Sequence, residues 1–581
     1  LKIEGLDFSL VTNYNSGTQF GSRVRILLIL LVFFIFLLPA LSRVSTYHSD
    51  EFYYTDSAIY MLLHQDYLNP HYADGSLRAK KPIITYWALI AGYALLGINF
   101  FAARLPFLVA GCITLGLTYR MAVTLMGSRR LSLLAAAILT SNLQFIILCL
   151  RATPDILNTL FLNISLYGFM MLIFAKDQRL RHYIYAYCGA ALAIETKGML
   201  GITPVIFAFL FILVSKDPDI RFRHLINWPV IGLSTMFAVS WYAFILVHHG
   251  QDPLLRFYTD QVGSKLGGSR FYILLNIKEY VFGIFLNFFP WSLILISGYA
   301  MSRRQVYAFI GAHKRRVAFI SSWFGLIFVI FMFSNDCRVR YLVPAYPLLS
   351  VMFAAIFGIL VEHKHIARLW KWCSGLLLVL IACSGVVALL GGAVMDGRLV
   401  ILGLILLGAS LPALLRWIRY KRVPEPVWIG LSMLIALAGY HGFGLPVFEF
   451  APSEQLTACI LRNVAEDQSI TVWATRRQNY TRQVYLLSKG RISMHYFPRK
   501  HVPEDLNSRS PVILTARDKE TLSLGEYDVE ACGYVFHPPQ PEILWQAIRR
   551  GEKEAALNSM RDRLYLAWRR NGNGPEDGHK S

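Results

Sequence analysis

Charge is scarce in this chain. Asp, Glu, Lys and Arg make up 16% of its 581 residues, against about 25% in soluble domains, and 55% of the residues are hydrophobic. Mean hydropathy is +0.45, which excludes an ordinary soluble globular protein. Paired metal spacing of the C-x-x-C kind is absent from the eight cysteines. Six of them lie in or near apolar runs as small packing residues. Cys459 and Cys532 fall in a polar tail, where they either pair in an oxidising compartment or co-occur by chance. Internal repeats and low-complexity tracts are also missing. Acid is scarcer than base, 36 residues against 57, for a net charge of +21. That balance suggests nucleic acid at first sight, but the basic residues sit in short loops between apolar runs and report membrane topology instead.

What is abundant is the membrane-length apolar run. The first, 26–44 (ILLILLVFFIFLLPALSRV), matches a bilayer core of roughly 30 Å. Such runs recur through Gly444, too many and too far along the chain for a cleaved signal peptide. Fourteen are visible: 26–44, 83–98, 101–125, 131–149, 155–175, 182–196, 198–215, 226–248, 278–300, 316–334, 341–361, 372–394, 398–416 and 426–446. If all fourteen cross, Arg129, Arg130, Lys176, Arg179 and Arg181 fall on the side opposite Arg23 and Arg25, against the positive-inside rule. Placing the short run 83–98 in the interface restores it. Thirteen spans then put the N-terminus and the basic loops in the cytoplasm. The outer side receives 45–100, the corners near 150–154 and Lys197, 249–277, 335–340 and the tail. The expected fold is a polytopic α-helical membrane domain, 1–446, followed by a small extracytoplasmic α/β domain, 447–581. In that tail, SITVWAT, QVYLLS, ISMHYF, PVILTA and YDVEACGYVF pattern as strands. SEQLTACILRNVAED, PEILWQAIRR and EAALNSMRDRLYLAWRR pattern as helices.

This topology collects ionisable residues on one face: Asp50, Glu51, Asp56, Lys80, Lys81, Arg151, Asp155, Glu195, Lys197, Asp260, Lys265, Arg338 and Arg340. Each alone is explained by snorkelling or topology. Together they mix acids with bases, unlike the basic cytoplasmic loops, and charges at the ends of apolar helices are costly unless paired or functional. A carboxylate beside several cations suits transfer from a phosphate leaving group. The cations stabilise the departing charge and the carboxylate serves the acceptor. His48, His64 and His71 share the first outer loop, where interfacial solvation explains them better than a metal.

An ordered set of motifs carries a resemblance. The first outer loop has Asp50-Glu51, then Asp66-Tyr67-Leu68-Asn69-Pro70, then Lys81-Pro82 through Tyr86-Trp87. AARLP (102–106), Arg151-x-x-Pro154-Asp155, TKG (196–198), NFFPWSL (287–293) and RYLVPAYP (340–347) follow. The chain resembles the type-C membrane glycosyltransferases (GT-C fold) of the protein O-mannosyltransferase and lipid A aminoarabinose transferase superfamily, over essentially its whole length. That resemblance implies an inverting transferase that moves a hexose or pentose from a polyprenyl-phosphate donor to an envelope acceptor, lipid A or another glycan. The site would lie on the periplasmic side of a bacterial inner membrane. It implies Asp50 as the essential acid, with Glu51 and Asp155 as companion acids. Lys81 would hold the carrier phosphate, supported by Arg151, Lys197 and Arg340. Lys80, Tyr54, Tyr86, Asp260 and Arg338 are further candidate contacts.

The sequence departs from the aminoarabinose branch at its metal site. That branch places Glu before the Lys-Pro lysine and His in the long outer loop, the two binding a metal. Here the first position is Lys80, and FYTDQVGSKLGGSRF holds no histidine. Protonated lysine is a poor ligand, so no metal or other cofactor is assigned. Tyr53 also stands where that branch often carries Arg. Alternative readings are a protein O-mannosyltransferase and a transporter or flippase of lipid-linked sugars. The latter predicts midplane charges and internal repeats.

Overall fold

The computed structural model describes residues 19–42, 49–215, 220–259, 270–335, 337–361, 364–394, 397–420, 425–448, 453–463, 470–474, 484–496, 511–515, 519, 527–536 and 561–569. The chain groups into two compact units. One comprises Leu1–Ser42, Ala79–Ala88 and Arg104–Val447; the other comprises Arg43–Arg78, Leu89–Ala103 and Phe448–Ser581.

The first unit is helical. Among the described residues, nine helices are long and apolar enough to cross a membrane, and up to eleven if two bent pairs each count as one span. The bent pairs are Arg129–Thr140 with Leu143–Cys149, at 70°, and Ile273–Asn287 with Trp291–Ala312, at 102°. The run expected in the interface forms the 13-residue helix Ile84–Leu96. A helix of that length extends only about 20 Å, short of the bilayer core. At the end of the first span, the buried Arg104 donates from Nη1 to the Leu41 carbonyl at 3.1 Å. A cation there satisfies an otherwise orphaned helix C-terminal carbonyl.

The hairpin of Pro154–Ile173 and Leu180–Lys197 matters most for the site. Pro154 occupies the first helical turn, where its missing N–H costs nothing. Sixteen of the 20 residues of that helix are buried, so it belongs to the interior rather than to a lipid-facing rim. Its partner approaches closely because the crossing is built from small residues. A Cβ on Gly168 would collide with the backbone nitrogen of Ala186, and one on Gly189 would lie 2.7 Å from that of Ser165. Ser165 Oγ donates to the Ala186 carbonyl at 2.5 Å. Small residues and interhelical hydrogen bonds are what hold helices together where lipid offers no hydrophobic drive. An antiparallel hairpin brings the start of the first helix beside the end of the second, which is where Asp155 and Lys197 stand. Nearby, Asn163 Nδ2 donates to the Pro344 carbonyl at 3.0 Å and fixes the 3₁₀ segment Val339–Ala345 against the hairpin.

The second unit contains the helix Ser49–Leu63 and the polar tail. The tail has a five-stranded mixed sheet: β1 (Ile470–Ala474), β2 (Ile492–Tyr496), β3 (Val512–Thr515), β4 (Tyr527–Phe536) and β5 (Arg561–Arg569), ordered β2-β1-β3-β5-β4. β1 pairs in parallel with β2 and β3, while β5 runs antiparallel to β3 and β4. Helix Ser453–Asn463 covers one face, packing Leu456, Cys459 and Ile460 against Val472, Ile492, Ile513, Leu564 and Leu566. Cys459 and Cys532 form a disulfide inside this core.

Two expectations for the tail are corrected. QVYLLS was patterned as a strand, but Val484–Leu487 is a helical turn, since Val484, Tyr485 and Leu486 are buried consecutively rather than alternately. The segment RDRLYLAWR, patterned as helical, is β5. Leu564 and Leu566 enter the core on one face, while Tyr565 and Ala567 pack with Val512 and Leu514 on the other. Both faces are covered, so the period-2 signal is masked by the continuous apolar run Leu564–Trp568. PEILWQAIRR lies outside the described residues.

Candidate active site

Four of the sequence-derived residues converge in the first unit. Asp155, in the first turn of its helix, accepts a hydrogen bond at 2.6 Å from the Lys197 ammonium in the last turn of the partner helix. Acid at a helix N-terminus and base at a C-terminus both suit the helix dipoles. The side chains are only 7% and 13% exposed, so solvent screens the pair weakly. Arg340 and Lys81 also lie close enough to act on the Asp155 carboxylate. The Tyr341 ring organises two of these cations: Lys197 Nζ stands 5.0 Å from its centroid and the Arg340 guanidinium 5.9 Å. One buried acid therefore faces three cations, an excess of positive charge suited to an anion.

The remaining residues distribute differently. Arg151, half-buried at the corner before Pro154, acts electrostatically on His441 in the last apolar helix. Glu195 is buried and accepts from the Trp241 N–H at 3.3 Å, tying its helix to Trp228–His249. Lys80 and Arg338 are exposed, and Tyr86 is fully buried. Asp260 and Lys265 lie outside the described residues.

In the second unit, Asp50 and Glu51 occupy the first turn of Ser49–Leu63, Asp50 half-buried and Glu51 buried. The sequence reading missed Arg78. Its guanidinium, on a residue 5% exposed, lies 4.7 Å from the Tyr54 ring centroid, 5.5 Å from that of Tyr53 and 5.6 Å from that of Tyr72. Tyr54 is thus one wall of a cation cage, and Tyr53 brings a guanidinium beside its own position. The available signal was a lone arginine after a tyrosine-rich loop.

His64 and His71 bond within their own segment. His64 Nδ1 lies 2.9 Å from the Tyr60 carbonyl and His71 Nδ1 2.9 Å from that of Gly75. Both rings pack on Tyr60, with centroids 3.9 and 5.0 Å away. His48 is outside the described residues. Among the described residues no three His, Cys, Asp or Glu side chains converge as a metal cage. With Lys80 in place of a carboxylate ligand, the residues present do not fit the aminoarabinose branch's metal pair.

A family model described as dolichyl-phosphate-mannose-protein mannosyltransferase matches residues 80–243. A protein of Aquifex aeolicus is 26% identical over 60% of this chain and 67% of its own length. An undecaprenyl phosphate-alpha-4-amino-4-deoxy-L-arabinose arabinosyl transferase 1 of Pseudomonas fluorescens is 25% identical over 55% of this chain. The match spans 54%, about half, of that transferase's length. In fold, the chain is similar to ArnT from Cupriavidus metallidurans bound to undecaprenyl phosphate, with a TM-score of 0.67 and 17% identity, covering 98% of this chain and 100% of that one. Family match, sequence kinship and fold point the same way: over these stretches the chain is similar to the ArnT-like, type-C membrane glycosyltransferases, whose fold it shares.

Proposed function

We propose that the protein transfers a sugar from a polyprenyl-phosphate carrier to an envelope acceptor, lipid A or another glycan, on the extracytoplasmic side of a bacterial inner membrane. The observation that carries this reading is the buried Asp155 carboxylate with Lys197, Arg340 and Lys81 acting on it together. In the proposed reaction the acceptor oxygen attacks the anomeric carbon with inversion, and the carrier phosphate leaves with the bonding electron pair. Lys81, Lys197 and Arg340 stabilise that phosphate, an electrostatic contribution that grows where water is excluded. Asp155 holds the Lys197 ammonium in place. Asp50 takes the acceptor proton, with Glu51 beside it.

Kinship supports the donor class: the similar transferases are named for undecaprenyl-phosphate aminoarabinose, and the similar ArnT structure holds undecaprenyl phosphate. The Cys459–Cys532 disulfide supports the sidedness, since such bonds persist in oxidising compartments such as the periplasm. A second reading, a protein acceptor for mannose, is favoured by the mannosyltransferase family match.

The test is transfer in proteoliposomes supplied with a mixture of polyprenyl-phosphate sugars, offering lipid A or a peptide. Release of polyprenyl phosphate by wild type, lost in Asp50→Ala and Lys81→Ala of native thermal stability, supports the reading. No donor turnover by wild type, or full activity in both variants, rejects it. Movement of donor across the bilayer without cleavage identifies a flippase instead.

A further inference from the structure

The helix that carries Asp50 and Glu51 is gripped by the polar tail. The turn after Val484–Leu487 closes with paired bonds: Lys489 N–H donates to the Leu486 carbonyl at 3.0 Å and Gly490 N–H to the Tyr485 carbonyl at 2.8 Å. With Lys489 at φ 55° and Gly490 at φ 86°, this is a Schellman end. Ser488 Oγ braces it, donating to the Tyr485 carbonyl at 3.2 Å and accepting from Ile492 N–H at 3.0 Å. Ile492 opens β2 and is fully buried in the tail core. The turn is therefore a rigid projection of the sheet.

That projection abuts the helix Ser49–Leu63. A Cβ at Gly490 would collide with Leu63 Cδ1 and lie 3.0 Å from Ile59 Cγ2, so the turn sits flush on the helix only because it ends in glycine. Beside it Tyr485 is 4% exposed. Burial, then the neighbouring Asp56 and Tyr60, pushes its phenol above the ordinary value, which places Asp56 and Tyr60 at the same contact. The grip covers positions 56–63, while the acids occupy the first turn at the other end. A 15-residue helix moves as a rod, so shifting one end tilts the other, and misplacement by about 1 Å costs roughly 10²-fold in rate.

We infer that the tail's Tyr485–Gly490 turn is a clamp that positions the Asp50–Glu51 helix for transfer, with Gly490 and Tyr485 as positioning residues. This rests on the reading of Asp50 as the acid that serves the acceptor.

The test uses the full-length protein in proteoliposomes, measuring transfer kinetics together with hydrogen exchange. Gly490→Ala should lower kcat about tenfold while donor KM stays within about twofold. It should raise exchange across 49–63 while the tail strands keep their protection. Leu63→Ala in the Gly490→Ala background should restore most of the lost kcat and protection, a coupling expected only of residues in contact. Tyr485→Phe should give the same split at smaller amplitude. Unchanged exchange across 49–63, loosening of the whole tail sheet, or failure of Leu63→Ala to rescue would each overturn the clamp. The last outcome would assign the defect to an alanine strained at positive φ. If wild type transfers no sugar, the transfer reading falls alone, because exchange and its rescue still test the contact.

Discussion

The hairpin of Pro154–Ile173 and Leu180–Lys197 carries an ion pair at each end, and the two differ in kind. At one end a single lysine meets a single aspartate at 2.6 Å, both largely buried. At the other, Asp177 faces Arg179 Nε at 3.2 Å, Arg181 Nη2 at 3.6 Å and His182 Nε2 at 3.0 Å, and the two arginines are 69% and 53% exposed. His182 and Asp177 are themselves only 2% and 17% exposed, but the two solvent-exposed arginines draw small benefit from the contact and tolerate substitution. A buried pair must repay the desolvation of both charges, and an apolar pair of similar volume is often equally stable. An enclosed pair inside an apolar bundle is thus poorly explained by stability, and function is the better account. Helices that hydropathy treats alike therefore end in unlike chemistry.

The largest effect should come from breaking the buried pair. Lys197→Met leaves Asp155 buried without its hydrogen-bonded cation and removes one positive charge from the proposed phosphate site. Loss of one preorganised electrostatic group typically costs about 10²–10³ in kcat. Single-turnover transfer should show that loss. The charge swap Asp155→Lys with Lys197→Asp sharpens the point. It should recover thermal stability by restoring the attraction but leave transfer impaired, because the ammonium now projects from the wrong helix. Recovery of both would reduce the pair to a structural brace.

The crossing of the hairpin should respond next. Gly168→Val places side-chain atoms against the Ala186 nitrogen and the His182 carbonyl, and overpacking of this kind costs about 1–3 kcal/mol. The two ends should not suffer equally. A 2.6 Å bond between enclosed groups has little room to re-form once the helices part, whereas exposed arginines follow a displaced partner on long, flexible stems. Transfer should fall about tenfold, beyond what unfolding at the assay temperature explains. Parallel transfer and thermal-melt measurements would separate the two contributions.

These tests bear on how much the sequence disclosed. Asp155, Lys197, Arg340 and Lys81 were legible because an ionisable residue at the edge of an apolar run is conspicuous, and orientation by basic loops gathered them on one face. Arg78 was not. In a polar loop one arginine resembles another, and only the folded chain shows Tyr53, Tyr54 and Tyr72 around it. Periodicity found most tail strands but failed for QVYLLS and RDRLYLAWR, where consecutive apolar residues erase the difference between periods of 2 and 3.6. The grip of Gly490 on Ile59 and Leu63 joins segments more than 400 residues apart, beyond the reach of any local pattern.

The smallest effect should come from the Asp177 end, where the arginines are in solvent, and it is the control that gives the others meaning. Some desolvation opposes ionisation of Asp177. The Arg179 N–H and His182, with the charges of Arg179 and His182, outweigh it and hold the carboxyl below its ordinary range. The interaction is real, yet its arginines are mostly in solvent, where salt screens them. Asp177→Asn also leaves a loop richer in net positive charge. Lysine and arginine set membrane orientation while acids contribute little, so topology should be kept. Transfer and melting temperature should stay close to wild type, with kcat changed by less than about twofold. Any difference should shrink further as salt is raised. A tenfold loss of transfer from Asp177→Asn would mean that this end is as tightly coupled to the chemistry as Asp155–Lys197. The company of Lys81 and Arg340 would then no longer separate the functional pair from the structural one.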